Sequence, residues 1–232
     1  GVKIPEKCRA KNRDPKVTLS EDTTTSMKTK LLKTEETKTS ANLVLEYGPV
    51  SVTETVIGYY VWDSDGKFVE KKQIDPIKYT FETKGLSFRF DLPLPEKTEN
   101  REALFHTLAH LAILSGAQIT GGELRELGYF FDETGQLILY ESTPGGNGLT
   151  KLLLSRLEDF LCRMLLILEE CEHGTSHCPC VYLYYCGKGN NNLDRKIARN
   201  FLEESLGPLV EDIDKHEEGA SIPSKEETYQ PK

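Results

Sequence analysis

Pro93 and Pro95 mark the point where the hydrophobic pattern of this chain changes period. Ahead of them, "NLVLEYGPVSVTETVIGYYVWD", "KFVEKKQI" and "YTFETKGLSFRFDLP" alternate apolar and polar residues and are rich in Val, Ile, Thr and Tyr. With "SDGK" as a turn, they predict a meander of about three or four short strands. The prolines and "EKTEN" end it, because proline cannot donate to a sheet ladder. Beyond them, "NREALFHTLAHLAILSGAQ" repeats Leu104, Leu108, Leu111 and Ala112 at helical spacing. Asn100 is the expected N-cap, Glu102 falls in the first turn, and Gly116 suits the C-terminal end. "ELGYFFD" and "GQLILYES" read as paired strands across "ETG". "LTKLLLSRLEDFLCRMLLILEEC" then predicts one long apolar helix, and "NLDRKIARNFLEESLGP" a last one, capped by Asn191 or Asn192 and stopped at Gly207-Pro208. The order β-meander, helix, β-hairpin and two helices flanking a cysteine loop predicts an α+β fold.

Four segments are expected: a flexible Thr/Lys-rich basic arm over 1–41, a β-rich segment over 42–95, an α+β zinc-binding domain over 96–207, and a disordered acidic tail over 208–232. Charge sets the outer two apart. Residues 1–40 hold ten Lys/Arg against six Asp/Glu, whereas residues 203–232 hold three Lys against nine Asp/Glu. The net charge of −8 argues against nucleic-acid binding by bulk charge, although a local cationic surface can sit inside an acidic total. No run of 18 or more apolar residues suggests a membrane span. "GVKIPEKCRA" has neither an export signal nor an initiator Met, so a cytoplasmic piece of a longer polypeptide is expected.

Cys171, Cys178, Cys180 and Cys186 fall in a polar, glycine-containing stretch between the last two helices. Four thiolates complete a tetrahedral shell, so a structural Zn²⁺ pinning two helix ends is the preferred reading. Two disulfides, joining Cys171 and Cys186 to Cys178 and Cys180 in either order, are the alternative and would need an oxidising compartment. His173 and His177 are available as substitute ligands. Cys162 reads as a small buried hydrophobe and Cys8 as a spare thiol.

His106 and His110 share a helical face, but "HTLAH" lacks the glutamate that would activate a metal-bound water. Together with Glu141 they are expected to form a structural polar network. "TPGGNG" lies between strand and helix like an anion-binding turn, with Gly145, Gly146 and Gly148 offering free amides or needing positive φ. It is not a Walker A loop, no GxGxxG is present, and neither an ATPase nor a small-molecule substrate site is evident. Lys188, Arg195, Lys196 and Arg199 could join the glycine turn against a phosphate backbone.

Taken in order, "YGPVSVTETVIGYYVWDSDGK", "YTFETKGLSFRF", "LFHTLAHLAI", "LILYESTPGGNG" and "CPCVYLYYCGKGNNNLDRKIARNFL" resemble the zinc-binding C-terminal domain of MrfA-like superfamily 2 helicases, the mitomycin-repair type, and of related phage-defence proteins. The resemblance implies zinc held by Cys171, Cys178, Cys180 and Cys186. The family usually has two residues between its middle cysteines, where this chain has only Pro179, its first cysteine usually sits nearer the second, and it commonly has Asp in place of Glu141. The resemblance further implies a non-catalytic accessory module, whose ATP-driven motor domains lie elsewhere on the polypeptide or on a partner chain, with DNA as a further partner. A scaffold that contacts only protein in a repair or defence complex is the alternative.

Overall fold

The computed structural model describes residues 17–63, 67–132, 134–169 and 178–207. The alternating region forms two long strands, β3 (Leu43–Asp63) and β4 (Phe68–Phe90), instead of several short ones. The expectation of a flexible arm before Asn42 is corrected over much of its length. Two strands, β1 (Val17–Leu31) and β2 (Glu36–Ser40), precede β3 and both lie beside it. β2 runs antiparallel to β3, from Glu36 opposite Tyr47 to Ser40 opposite Leu43. Alternating threonines suffice for this, because a strand added to a sheet gains a backbone ladder and favours β-branched side chains even where few are apolar. The acidic tail over 208–232 lies outside the described residues.

The chain also divides differently from the expected segments. One compact unit gathers Gly1–Thr29 and Val52–Phe81, and the other gathers Lys30–Ser51 and Glu82–Lys232. The smaller unit has aromatic pairs on its strands, such as Tyr60 edge-on to Phe68 and Tyr79 stacked with Phe81. The larger unit carries the helices. The sheet order is β1-β3-β4-β6-β5, where β5 (Leu127–Phe131) and β6 (Leu137–Glu141) form the expected hairpin. In register, Leu139 lies opposite both Leu86 and Tyr129, and Leu137 opposite both Phe88 and Phe131. Strand alternation therefore sets Leu86, Phe88, Leu137, Leu139, Tyr129 and Phe131 on one face. All but Tyr129 belong to the main apolar core, and Tyr129 packs against it.

The central helix, α1 (Thr98–Thr120), is buried without a break from Ala103 to Ile113, which makes it a core helix surrounded on all sides. It is long and apolar enough to cross a membrane by composition, but 78% of that stretch is covered by the rest of the protein. It begins two residues before Asn100, and Lys97 at its N-cap makes no side-chain cap. It also runs past Gly116 to a left-handed Gly121. Gly116 is there for close packing: a Cβ would come within 2.7 Å of Leu127 Cδ1 on β5. The single long helix expected next is broken into α2 (Leu149–Ser155) and α3 (Leu157–Glu169) at Arg156, whose backbone leaves the helical region. The kink lets Leu153 and Leu154 on one side of it and Leu157, Phe160 and Leu161 on the other all reach the core. The last helix, α4 (Arg195–Leu206), is capped by Asp194 rather than an asparagine, its carboxylate accepting from the amides of Lys196 and Ile197.

Candidate metal centre

One face of α1 presents His106, Thr107 and His110 to the segment between Val181 and Asp194, and each side chain bonds to it. His106 Nδ1 donates to the Asn192 carbonyl at 3.2 Å, and His110 Nδ1 donates to the Val181 carbonyl at 2.8 Å. The Thr107 hydroxyl accepts from the Asp194 amide at 2.9 Å, which fixes the start of α4. The segment holds its own shape. Asn190 bonds both the amide and the carbonyl of Leu183 at 3.1 Å, and Leu183 and Leu193 are fully buried. This lays Cys186 over the histidine pair, with His106 Nε2 3.2 Å from its sulfur. Tyr129 on β5 completes the group, its hydroxyl 3.1 Å from the Cys186 sulfur and 3.3 Å from His106 Nε2.

Carbonyl oxygens only accept, so each histidine carries its proton on Nδ1 and turns a lone pair outward from Nε2. Burial, reinforced by the neighbouring His110, pushes His106 down to about 4, and burial lowers His110 as well. Both imidazoles are thus neutral near pH 7, as metal ligands must be. Burial, then the hydrogen bond to Cys186, raises the Tyr129 phenol, which keeps its proton in the absence of a cation. One atom is left over: His110 Nε2 is buried with no hydrogen-bond partner. A buried orphan lone pair calls for an occupant, and the donor atoms of His106, His110 and Cys186 all lie within 4.8 Å of one another. The cluster can hold a metal ion.

Three of the four expected cysteine ligands, Cys178, Cys180 and Cys186, lie among the described residues. Among the described residues, Cys186 groups with the two histidines, and Cys178, Cys180 and Cys186 form no metal-holding cluster of their own. Cys178 is buried at the start of a tight turn and its sulfur accepts from the Cys180 amide at 3.4 Å, whereas the Cys180 side chain is exposed. Cys171, His173, His177 and Cys8 lie outside the described residues. Cys162 is only partly buried in α3.

Glu141 does not join the histidines. Its fully buried carboxylate accepts from the amides of Asn147, Gly148 and Thr150 and from the Thr150 hydroxyl, the last at 2.6 Å. The amides of Gly145 and Gly146 are also engaged, by the carbonyls of Glu82 and Thr143. The glycine turn therefore offers no free amides to an anion, because the protein's own carboxylate takes that place. Positive φ at Gly145, Gly146 and Gly148 is what the turn requires. The basic set is divided too. Arg195 is buried, with its guanidinium on the Leu168 carbonyl, and Arg199 pairs with Glu203 at 2.6 Å and Glu169 at 3.8 Å. Lys188 is exposed, 4.1 Å over the Phe131 ring and 3.8 Å from Glu102, and Lys196 is exposed on the first turn of α4. Tyr129 is the member of the site that sequence reasoning missed, although alternation in "LGYFF" sets it on the same face as Leu127 and Phe131.

No protein-family model matches this chain. A 74-residue stretch is 32% identical to Druantia protein DruE of Escherichia coli (strain UMEA 4076-1), a match covering 32% of this chain and 4% of that protein. A structure of the DUF1998 helicase MrfA bound to DNA superposes with a TM-score of 0.61 at 13% identity, over 78% of this chain and 25% of that one. A second MrfA structure gives a TM-score of 0.49 at 16% identity, over 82% of this chain and 24% of that one. The chain thus spans a small part of DruE and about a quarter of MrfA. The resemblance first carried by the sequence motifs extends to three dimensions: this chain has the fold of a quarter-length portion of the DUF1998 helicase MrfA.

Proposed function

We propose that this chain is an accessory module of an ATP-dependent DNA helicase active in repair or defence, organised by a zinc ion and without ATP hydrolysis of its own. The motor lies elsewhere on the same polypeptide or on a partner chain. The observation that carries the reading is the shared fold with part of a helicase that binds DNA. The donor chemistry supports zinc in particular, since two imidazoles and a thiolate at His106, His110 and Cys186 suit that ion over the oxygen-seeking cations. With both histidines at 1% exposure or less, zinc here would cross-link α1 to the loop before α4.

Among the basic residues Lys188 and Lys196 are exposed, and this reading gives them the phosphate contacts. Fluorescence-anisotropy titrations with single- and double-stranded DNA test this. Binding should weaken steeply between low and moderate salt, and Lys188→Glu with Lys196→Glu should weaken it about tenfold or more and flatten the salt slope. The net charge of −8 and the carboxylate partners of Arg199 and Lys188 favour a protein-contacting scaffold as the second reading. Absence of DNA affinity at low salt would select it.

A further inference from the structure

The donor triangle around Cys186 has a corner that neither a histidine nor a cysteine fills. His106 Nε2, Cys186 Sγ and Tyr129 Oη are separated by 3.1–3.3 Å along all three edges. Ligands about 2.0–2.3 Å from a tetrahedral ion lie roughly 3.3–3.8 Å apart, so this triangle is a slightly contracted face of such a shell. The donor atoms of His106, His110 and Cys186 all lie within 4.8 Å of one another, and His110 Nε2, buried and without a partner, is the donor left to add to that face.

We propose that Tyr129 is the fourth ligand, making a closed His-His-Cys-Tyr site for one divalent zinc-like cation; this rests on the metal reading above. The charge balance favours it. In a largely buried site, two neutral imidazoles with one thiolate leave a net positive charge, whereas a thiolate with a phenolate neutralises the dication. On binding, the thiol and phenol protons pass to solvent and the metal takes both anions. The phenol bridges the Cys186 sulfur and His106 Nε2 by hydrogen bonds, so the corner is already in place. Strand pairing holds it there, with Tyr129 opposite Leu139 in the hairpin and its ring stacked 6.1 Å from Phe131.

Cobalt(II) loading of the full chain tests the proposal, because its visible bands report coordination number and its near-ultraviolet charge-transfer band reports thiolate. The wild-type protein should show a four-coordinate spectrum with a thiolate band. Tyr129→Phe keeps the ring and its packing, so circular dichroism should be unchanged. Its visible bands should weaken and shift toward a water-bound, higher-coordinate site, with the thiolate band retained. Cys186→Ser should lose that band. Identical spectra for wild type and Tyr129→Phe would overturn the assignment of Tyr129 alone. A wild-type chain that takes up no cobalt would overturn the metal centre itself.

Discussion

Two buried polar clusters hang from the β5–β6 hairpin, and they differ in completeness. At one end of β6, Glu141 brings a full negative charge into the core and meets four donors, three of them amides of one turn, so the cluster is finished by the chain itself. At β5, Tyr129, Cys186 and the two histidines bond among themselves and to carbonyls, and leave His110 Nε2 without a partner. A carboxylate among amides is a self-contained strut. Two imidazoles, a phenol and a sulfur gathered in this way could hold a metal ion. The same hairpin thus supports one cluster that the chain completes itself and one whose donors could hold a metal ion.

The contrast is sharpest when each cluster is damaged. Glu141→Ala strips the partner from three amides, that of Thr150 buried, and from the buried Thr150 hydroxyl, and should cost about 3 kcal/mol by urea unfolding, whether or not metal is present. A loss below about 1 kcal/mol would mean the turn does not depend on the carboxylate. The metal cluster should behave in the opposite way, with its stability residing in the ion. Stripping zinc with a chelator should lower stability by about 3 kcal/mol, roughly 6–12 °C in thermal midpoint, and Glu141→Ala should leave that decrement unchanged. A midpoint indifferent to chelator would erase the distinction between the clusters. The smallest effect is that of acid on the metal-free protein. Burial holds His106 near 4 against 6.5 in the unfolded chain, so the unfolded state binds the proton first as pH falls. The stabilisation is intact above about pH 6.5 and is lost toward pH 4, amounting to about 2 kcal/mol between about pH 7 and pH 5. Alanine at His106 should flatten that slope.

The period change at Pro93 made the α+β class and the hairpin legible, because alternation and helical spacing are local. What the sequence could not reveal was which residues meet across 70 or more positions. His106 and His110 announced a shared face, but the partner of that face is a carbonyl at Val181 and another at Asn192, and carbonyls carry no residue-type signal. Among the described residues the fold sets Cys186 against α1, a contact that spacing along the chain does not signal. Glu141 pointed toward the histidines by its polarity and instead bends the glycine turn onto itself. Arg195 read as a surface cation in the motif after the cysteines, and the broken helix α2–α3 turns a carbonyl at Leu168 toward it. The Thr-rich arm was misread because β1 and β2 take their order from a neighbouring strand and not from their own apolar content.

The ties from α1 to the segment before α4 also set a timetable. The partners of His106, Thr107 and His110 lie 71 to 87 residues downstream. At roughly 5–20 residues per second, a ribosome needs roughly 4–17 s to deliver the last of them after Thr107 has been added. During that interval α1, apolar enough along its length to pass for a membrane segment, has the hairpin for company but not its closing loop. Zinc arriving late would then act as the latch on a helix that the nascent chain has had to shelter, and metal supply would influence yield as much as stability.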